Sequence, residues 1–101
     1  MTTFVYTSVR VDKPSDPYSR RLVRVWRMAK GGPVLVGYWV TNSLDSFQMA
    51  MQVLVSNNHV PRRLINHATG LPRRADLSEN GIHVHCLSDD TMQTLKQDAK
   101  G

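Results

Sequence analysis

Hydrophobic and polar positions along this chain fall into runs of two periods. Phe4-Val5-Tyr6-Thr7-Ser8-Val9-Arg10-Val11 concentrates β-branched and aromatic residues and reads as a strand. Residues 12–19, with Pro14, Asp16, Pro17 and two serines, read as a loop. Leu22 to Met28 and Val34 to Val40 read as two further strands. They are joined by Lys30-Gly31-Gly32-Pro33, a tight connection whose glycines can take positive φ. The first half is therefore expected to be a three-stranded antiparallel meander.

The period then changes. Leu44, Phe47, Met51, Leu54 and Val55 recur at three- and four-residue steps, one apolar stripe of a helix over about residues 43–56. Asn42 or Ser43 is the expected cap, Asp45 lies near the positive end of the helix dipole, and Asn57-Asn58 is the stop. Pro61 is expected to open a short helix that Gly70 ends. Val60-Pro61-Arg62-Arg63-Leu64 and Leu71-Pro72-Arg73-Arg74-Ala75 nearly repeat one another and read as two similar turns. Ile82 to Leu87 forms a fourth strand, and Ser88 can cap a last helix through about Ala99, with an apolar side of Met92, Leu95 and Ala99. The expectation is one α+β domain over residues 1–101. Its plan is a three-stranded meander with a main helix on one face, a short helix or loop, a fourth strand and a C-terminal helix.

Alternation splits each strand into two sides. One side collects Val5, Thr7, Val9 and Val11, then Val23 and Val25, then Val34, Val36, Tyr38 and Val40, an aliphatic floor for the main helix. The other side collects Phe4, Tyr6, Ser8 and Arg10, then Leu22, Arg24, Trp26 and Met28, then Leu35, Gly37 and Trp39. Rings interleaved with arginines suit a sheet that stacks bases and holds phosphates. Buried core rings or a dimer interface are the competing readings of the same aromatics. Three antiparallel strands leading through Val36-Gly37-Tyr38-Trp39-Val40-Thr41-Asn42-Ser43-Leu44-Asp45 into one helix resemble two groups of small domains. These are the DNA-binding domains of the plant AP2 class and the arm-binding domains of phage-type integrases. The resemblance covers about 50 residues, implies a sheet that meets DNA, and does not extend to the residues after the helix.

Charge supports a polyanionic partner. Thirteen Lys and Arg against eight Asp and Glu give a net +5 over 101 residues, and arginine outnumbers lysine. Residues 10–30 hold seven basic and two acidic side chains, and residues 59–74 hold Arg62, Arg63, Arg73 and Arg74 with no acid. A guanidinium grips phosphate with two parallel hydrogen bonds. The expected function is nucleic-acid binding without catalysis, to DNA or RNA, through Arg10, Arg24, Trp26 and Trp39 on the sheet and the Arg62-Arg63 and Arg73-Arg74 turns. An interaction or inhibitor module, such as a mobile-element accessory protein with an acidic protein partner, is the alternative, and a homodimer is compatible with either.

Chemistry-bearing motifs are few. His83 and His85 share one side of their strand and could be half of a metal site completed by His59 or His67. There is no Cys-x-x-Cys or His-Glu-x-x-His spacing, so neither metal nor cofactor is expected. A metal-independent ribonuclease built from His67, His83, His85, Arg62 and Arg63 is a further alternative. Phosphate-loop and serine-elbow motifs are absent. One cysteine, Cys86, excludes an internal disulfide and fits a reducing cytoplasm. No signal-peptide pattern and no membrane-length apolar run is present, so no membrane partner is expected.

Overall fold

Strands β1 (Thr2–Arg10), β2 (Arg21–Ala29) and β3 (Gly32–Thr41) form the expected meander in the computed structural model, which describes residues 1–12, 15, 18–42 and 45–100, with side chains as far as Asp98. Lys30 and Gly31 make the tight turn between β2 and β3, and Gly32 takes the positive φ of 114° that the turn requires. Asp12 and Ser19 close the first connection. The Asp12 amide donates to Ser19 Oγ, and Arg20 donates back to the Asp12 carboxylate from its amide and guanidinium. The prolines expected to shape this loop, Pro14 and Pro17, lie outside the described residues.

Helix α1 (Ser46–Ser56) follows, capped by Asp45 rather than by Asn42 or Ser43. The Asp45 carboxylate accepts from the Gln48 amide at 3.0 Å. Ser43 and Leu44 lie outside the described residues. Asn57 and Asn58 end the helix, with Asn58 left-handed at φ 61°. The chain then makes a single 3-10 turn at Arg62–Leu64 and a loop in which Ile65 bridges Pro72. Gly70, at φ 71°, turns that loop instead of ending a helix. A short helix α2 (Arg74–Glu79) was not expected. It is too brief to show a period, and burial of Leu77 holds it in place. Strand β4 (Ile82–Cys86) adds to β1 in parallel, giving a mixed sheet of order β3-β2-β1-β4. Ser88 caps helix α3 (Asp89–Lys100) by accepting from the Thr91 amide.

Two helical layers sandwich part of this sheet. On the inner face Phe4, Tyr6, Val23, Val25 and Val84 pack against Met49, Ala50, Val53 and Leu54 of α1 and against Val60 and Leu77. On the outer face Val5 and Trp26 pack against Met92, with Met28, Leu87 and Leu95 around them. No helix of the described residues is long and apolar enough to cross a membrane.

The register corrects the expected faces. Tyr6 lies opposite Val25 and Val5 opposite Trp26, so Phe4 and Tyr6 share the α1 side with Val23 and Val25. Val5, Thr7 and Val9 face the other way, with Leu22, Arg24 and Trp26. In β3 the alternation breaks, because Val25 pairs with Gly37 while Trp26 pairs with Leu35, leaving Val36 as a bulge. Beyond it Gly37 and Trp39 turn inward and Tyr38 and Val40 turn outward. Gly37 lies closely covered by α1. A Cβ there would meet Asn57 Nδ2 at 3.0 Å and Val53 Cγ1 at 3.2 Å, so glycine lets α1 close on the sheet.

Leu54→Ala should lower unfolding free energy by about 2–5 kcal/mol in urea titrations, because the side chain is fully enclosed. Val40→Ala, at a position expected to lie under α1 but found exposed, should change stability by no more than about 0.5 kcal/mol. Equal losses at the two sites would contradict this register.

Candidate functional site

α3 is anchored at Met92 and Leu95 over the Val5–Trp26 end of the outer face, and this leaves the other end bare. Leu22, Arg24, Leu35, Tyr38 and Val40 surround a shallow concavity of about 340 Å³ there. Arg24 lies directly opposite Tyr38 across β2 and β3, and Leu22 opposite Val40. Side chains so placed are direct neighbours. Tyr38 is 66% exposed, Leu35 is 54% exposed, and Arg24 is exposed with no ion pair among the described residues. The bulge at Val36 makes this site, since without it Tyr38 would face α1.

The expected site residues divide among three places. Arg24 alone stays on the open sheet surface. Trp26 is only 3% exposed, roofed by Met92 and by Lys96, whose Nζ lies 4.7 Å from the ring centre. It belongs to the core rather than to a stacking surface. Trp39 sits on the inner side at the sheet edge, beside α1, where it lines a second shallow cavity with Gln48, Gln52 and Leu71. Arg10 is exposed at the end of β1 and shares the inner side with Arg21. The single aromatic and arginine face is thus not assembled. Phe4 and Tyr6 are buried, and Trp26 and Trp39 occupy opposite faces.

The paired arginines of the second half are not equivalent. Arg62 is exposed, and Arg63 donates to the Asn80 side-chain oxygen at 2.9 Å. Arg73 lines a cavity of about 240 Å³ with Asp45, Gln48, Asn66 and Thr69 over a floor of Phe47 and Met51. Arg74 is structural. Its guanidinium lies 4.5 Å from the centre of the Phe47 ring and donates to the Val84 carbonyl at 2.8 Å. Arg73 and Arg74 open α2 rather than forming a turn.

The histidines do not converge. His83 and His85 lie on the outer face, level with Thr3 and Val5, whereas His59 sits edge-on to Phe4 inside. No group of three or more His, Cys, Asp or Glu among the described residues could hold a metal ion. The ribonuclease set is likewise divided, because the turn carrying Arg62 and Arg63 packs through Leu64 against the inner core.

Tyr38 was missed as a site residue because strict alternation put it under the main helix. The signal available was a glycine inside a strand, which often marks a bulge. Comparison with protein-family models, curated proteins and solved structures finds no match for this chain.

Three titrating groups among the described residues depart from their ordinary behaviour, Tyr6 and the ion-paired Asp12 and Arg20, whose guanidinium is pushed up by the Asp12 carboxylate. The Arg20 guanidinium, 3.0 Å away, holds the exposed Asp12 carboxyl below the usual carboxylate range. Burial pushes the Tyr6 hydroxyl up, the adjacent Cys86 thiol adds to this, and Arg74 pulls weakly the other way. The folded state therefore keeps the Tyr6 proton more tightly than the unfolded chain does. Its contribution is complete below the ordinary value of 10.0 and is lost as pH rises through the higher folded value. Urea unfolding of Tyr6→Phe should accordingly show a shallower loss of stability than wild type as pH is raised past that point. Parallel declines would remove Tyr6 as the cause.

Proposed function

We propose that this protein binds single-stranded nucleic acid, without chemistry, on the uncovered end of its outer sheet face. The observation that carries this reading is the Arg24–Tyr38 cross-strand pair on the open end of the outer face, a solvent-facing ring beside a guanidinium with no ion pair among the described residues. A flat phenol offers a stacking surface to an unpaired base, and a neighbouring arginine can hold the adjoining phosphate. Leu22, Leu35 and Val40 supply an apolar surround for sugar and base edges. Arg27, Arg62 and Arg73 are also exposed without ion pairs among the described residues, and with the net +5 they favour approach of a polyanion.

The same patch has the composition of a protein-binding hot spot, in which tyrosine and arginine dominate. An acidic protein partner is therefore the competing reading, and salt dependence separates the two. Fluorescence anisotropy with labelled single-stranded DNA, RNA and duplex DNA should show affinity falling by about 0.7 log units per log unit of salt for each single-strand phosphate engaged. Tyr38→Ala should weaken binding by about 1–3 kcal/mol, roughly 5- to 150-fold, and Arg24→Ala should reduce the salt slope by about one contact. Trp26→Ala should act on stability instead, at a cost of about 3–5 kcal/mol. No binding at low salt would refute this reading and favour the protein partner.

A further inference from the structure

The sheet has two edges, β3 and β4, and they are unlike. β4 has five residues and carries His83 and His85. β3 has ten and carries no charge, and no charged residue occurs between Lys30 and Asp45. An edge strand presents a row of backbone N–H and C=O groups that its own sheet does not pair, and soluble proteins usually blunt it with charge, proline or a bulge. Pro33 and the Val36 bulge blunt only the first half of β3. Gly37–Thr41 is regular, and among the described residues no further strand pairs with its outward edge. Both sides of the strand are apolar and open, with Val34 and Trp39 on the inner side and Leu35, Tyr38 and Val40 on the outer.

We propose that β3 pairs antiparallel with β3 of a second copy over Gly37–Thr41, joining two four-stranded sheets into one continuous sheet. A twofold axis normal to the sheet keeps inner with inner and outer with outer. A register centred on Trp39 sets the two Trp39 residues against each other and each Tyr38 against Val40 of its mate, so the strand is complementary to itself. Within the paired segment Tyr38, Trp39 and Val40 are 66%, 41% and 41% exposed, so pairing lays their flanks against the same side chains of the mate. The charge-free edge also suits a second copy better than an acidic strand. A foreign acidic strand steered by the net +5 would find no arginine on β3, whereas two neutral strands meet without concentrating the repulsion between copies. In such a dimer both Arg24–Tyr38 pairs face the same way, but the pairing itself does not rest on the nucleic-acid reading.

Sedimentation equilibrium over a wide micromolar range, without nucleic acid, tests this directly. The wild-type chain should reach twice its monomer mass. Trp39→Lys, which sets two like charges against each other at the centre of the pairing, should be monomeric with an unchanged circular dichroism spectrum. His85→Lys on the opposite edge should still dimerise. A wild-type monomer throughout, a Trp39→Lys dimer or a His85→Lys monomer would each overturn the proposal. Should Trp39→Lys fail to fold, wild-type hydrogen exchange decides. Outward amides within Gly37–Thr41 should gain protection as concentration rises, and protection independent of concentration would overturn the pairing.

Discussion

Val5 lies opposite Trp26 and Tyr6 opposite Val25, and this one alignment of β1 on β2 decides what either side of the sheet can bury. It sets Phe4 and Tyr6 beside Val23 and Val25, which makes the middle of the inner surface a broad hydrophobic patch, the surface that α1 and the segment around Val60 and Leu77 enclose. The same alignment sends Trp26 outward beside Val5. A buried tryptophan there needs a roof, and α3 supplies it through Met92, Leu95 and the Lys96 ammonium. A slip of one residue would reverse both sets of side chains and leave each helix facing the wrong partners.

The surface proposed to bind is a remainder of that arrangement. α3 has too few apolar residues to roof the whole outer face, so the sheet beyond Trp26 stays open. The bulge at Val36 then determines which β3 side chains occupy the opening. It turns Tyr38 and Val40 outward beside Arg24 and Leu22, and brings Gly37 beneath α1, where only a hydrogen fits between sheet and helix. One irregular residue thus serves packing on one side and exposure on the other. It also leaves the straight second half of β3 as a regular outward edge, where the self-pairing proposed here is placed.

Most of the positive charge is dispersed. Arg74 is used in packing against Phe47 and β4, Arg20 is paired with Asp12, and Arg63 is tied to Asn80. Arg24 stands directly opposite an exposed aromatic ring, Tyr38, across β2 and β3. That narrows the broad basic footprint read from composition to a single pair of side chains and a surrounding field.

The amino-acid sequence by itself determined the order of the four strands, the main helix and the C-terminal helix, though not α2. Period-two runs, the Lys30-Gly31 turn, the three- and four-residue spacing from Phe47 to Leu54 and the Ser88 cap are local features, and each formed the element its pattern implies. It also indicated Arg24 and a sheet-borne aromatic as the chemistry to inspect. Which aromatic could not be read locally, because alternation orders the side chains within a strand and is silent about how neighbouring strands align. Tertiary structure settled that: α1 needed a flat apolar floor, Gly37 had to lie beneath it, and the bulge that reconciled the two put Tyr38 on the surface and left Trp26 and Trp39 on opposite sides. Arg73 and Arg74 show the same division. Their spacing suggests a turn, but burying Leu77 wound them into the start of a helix.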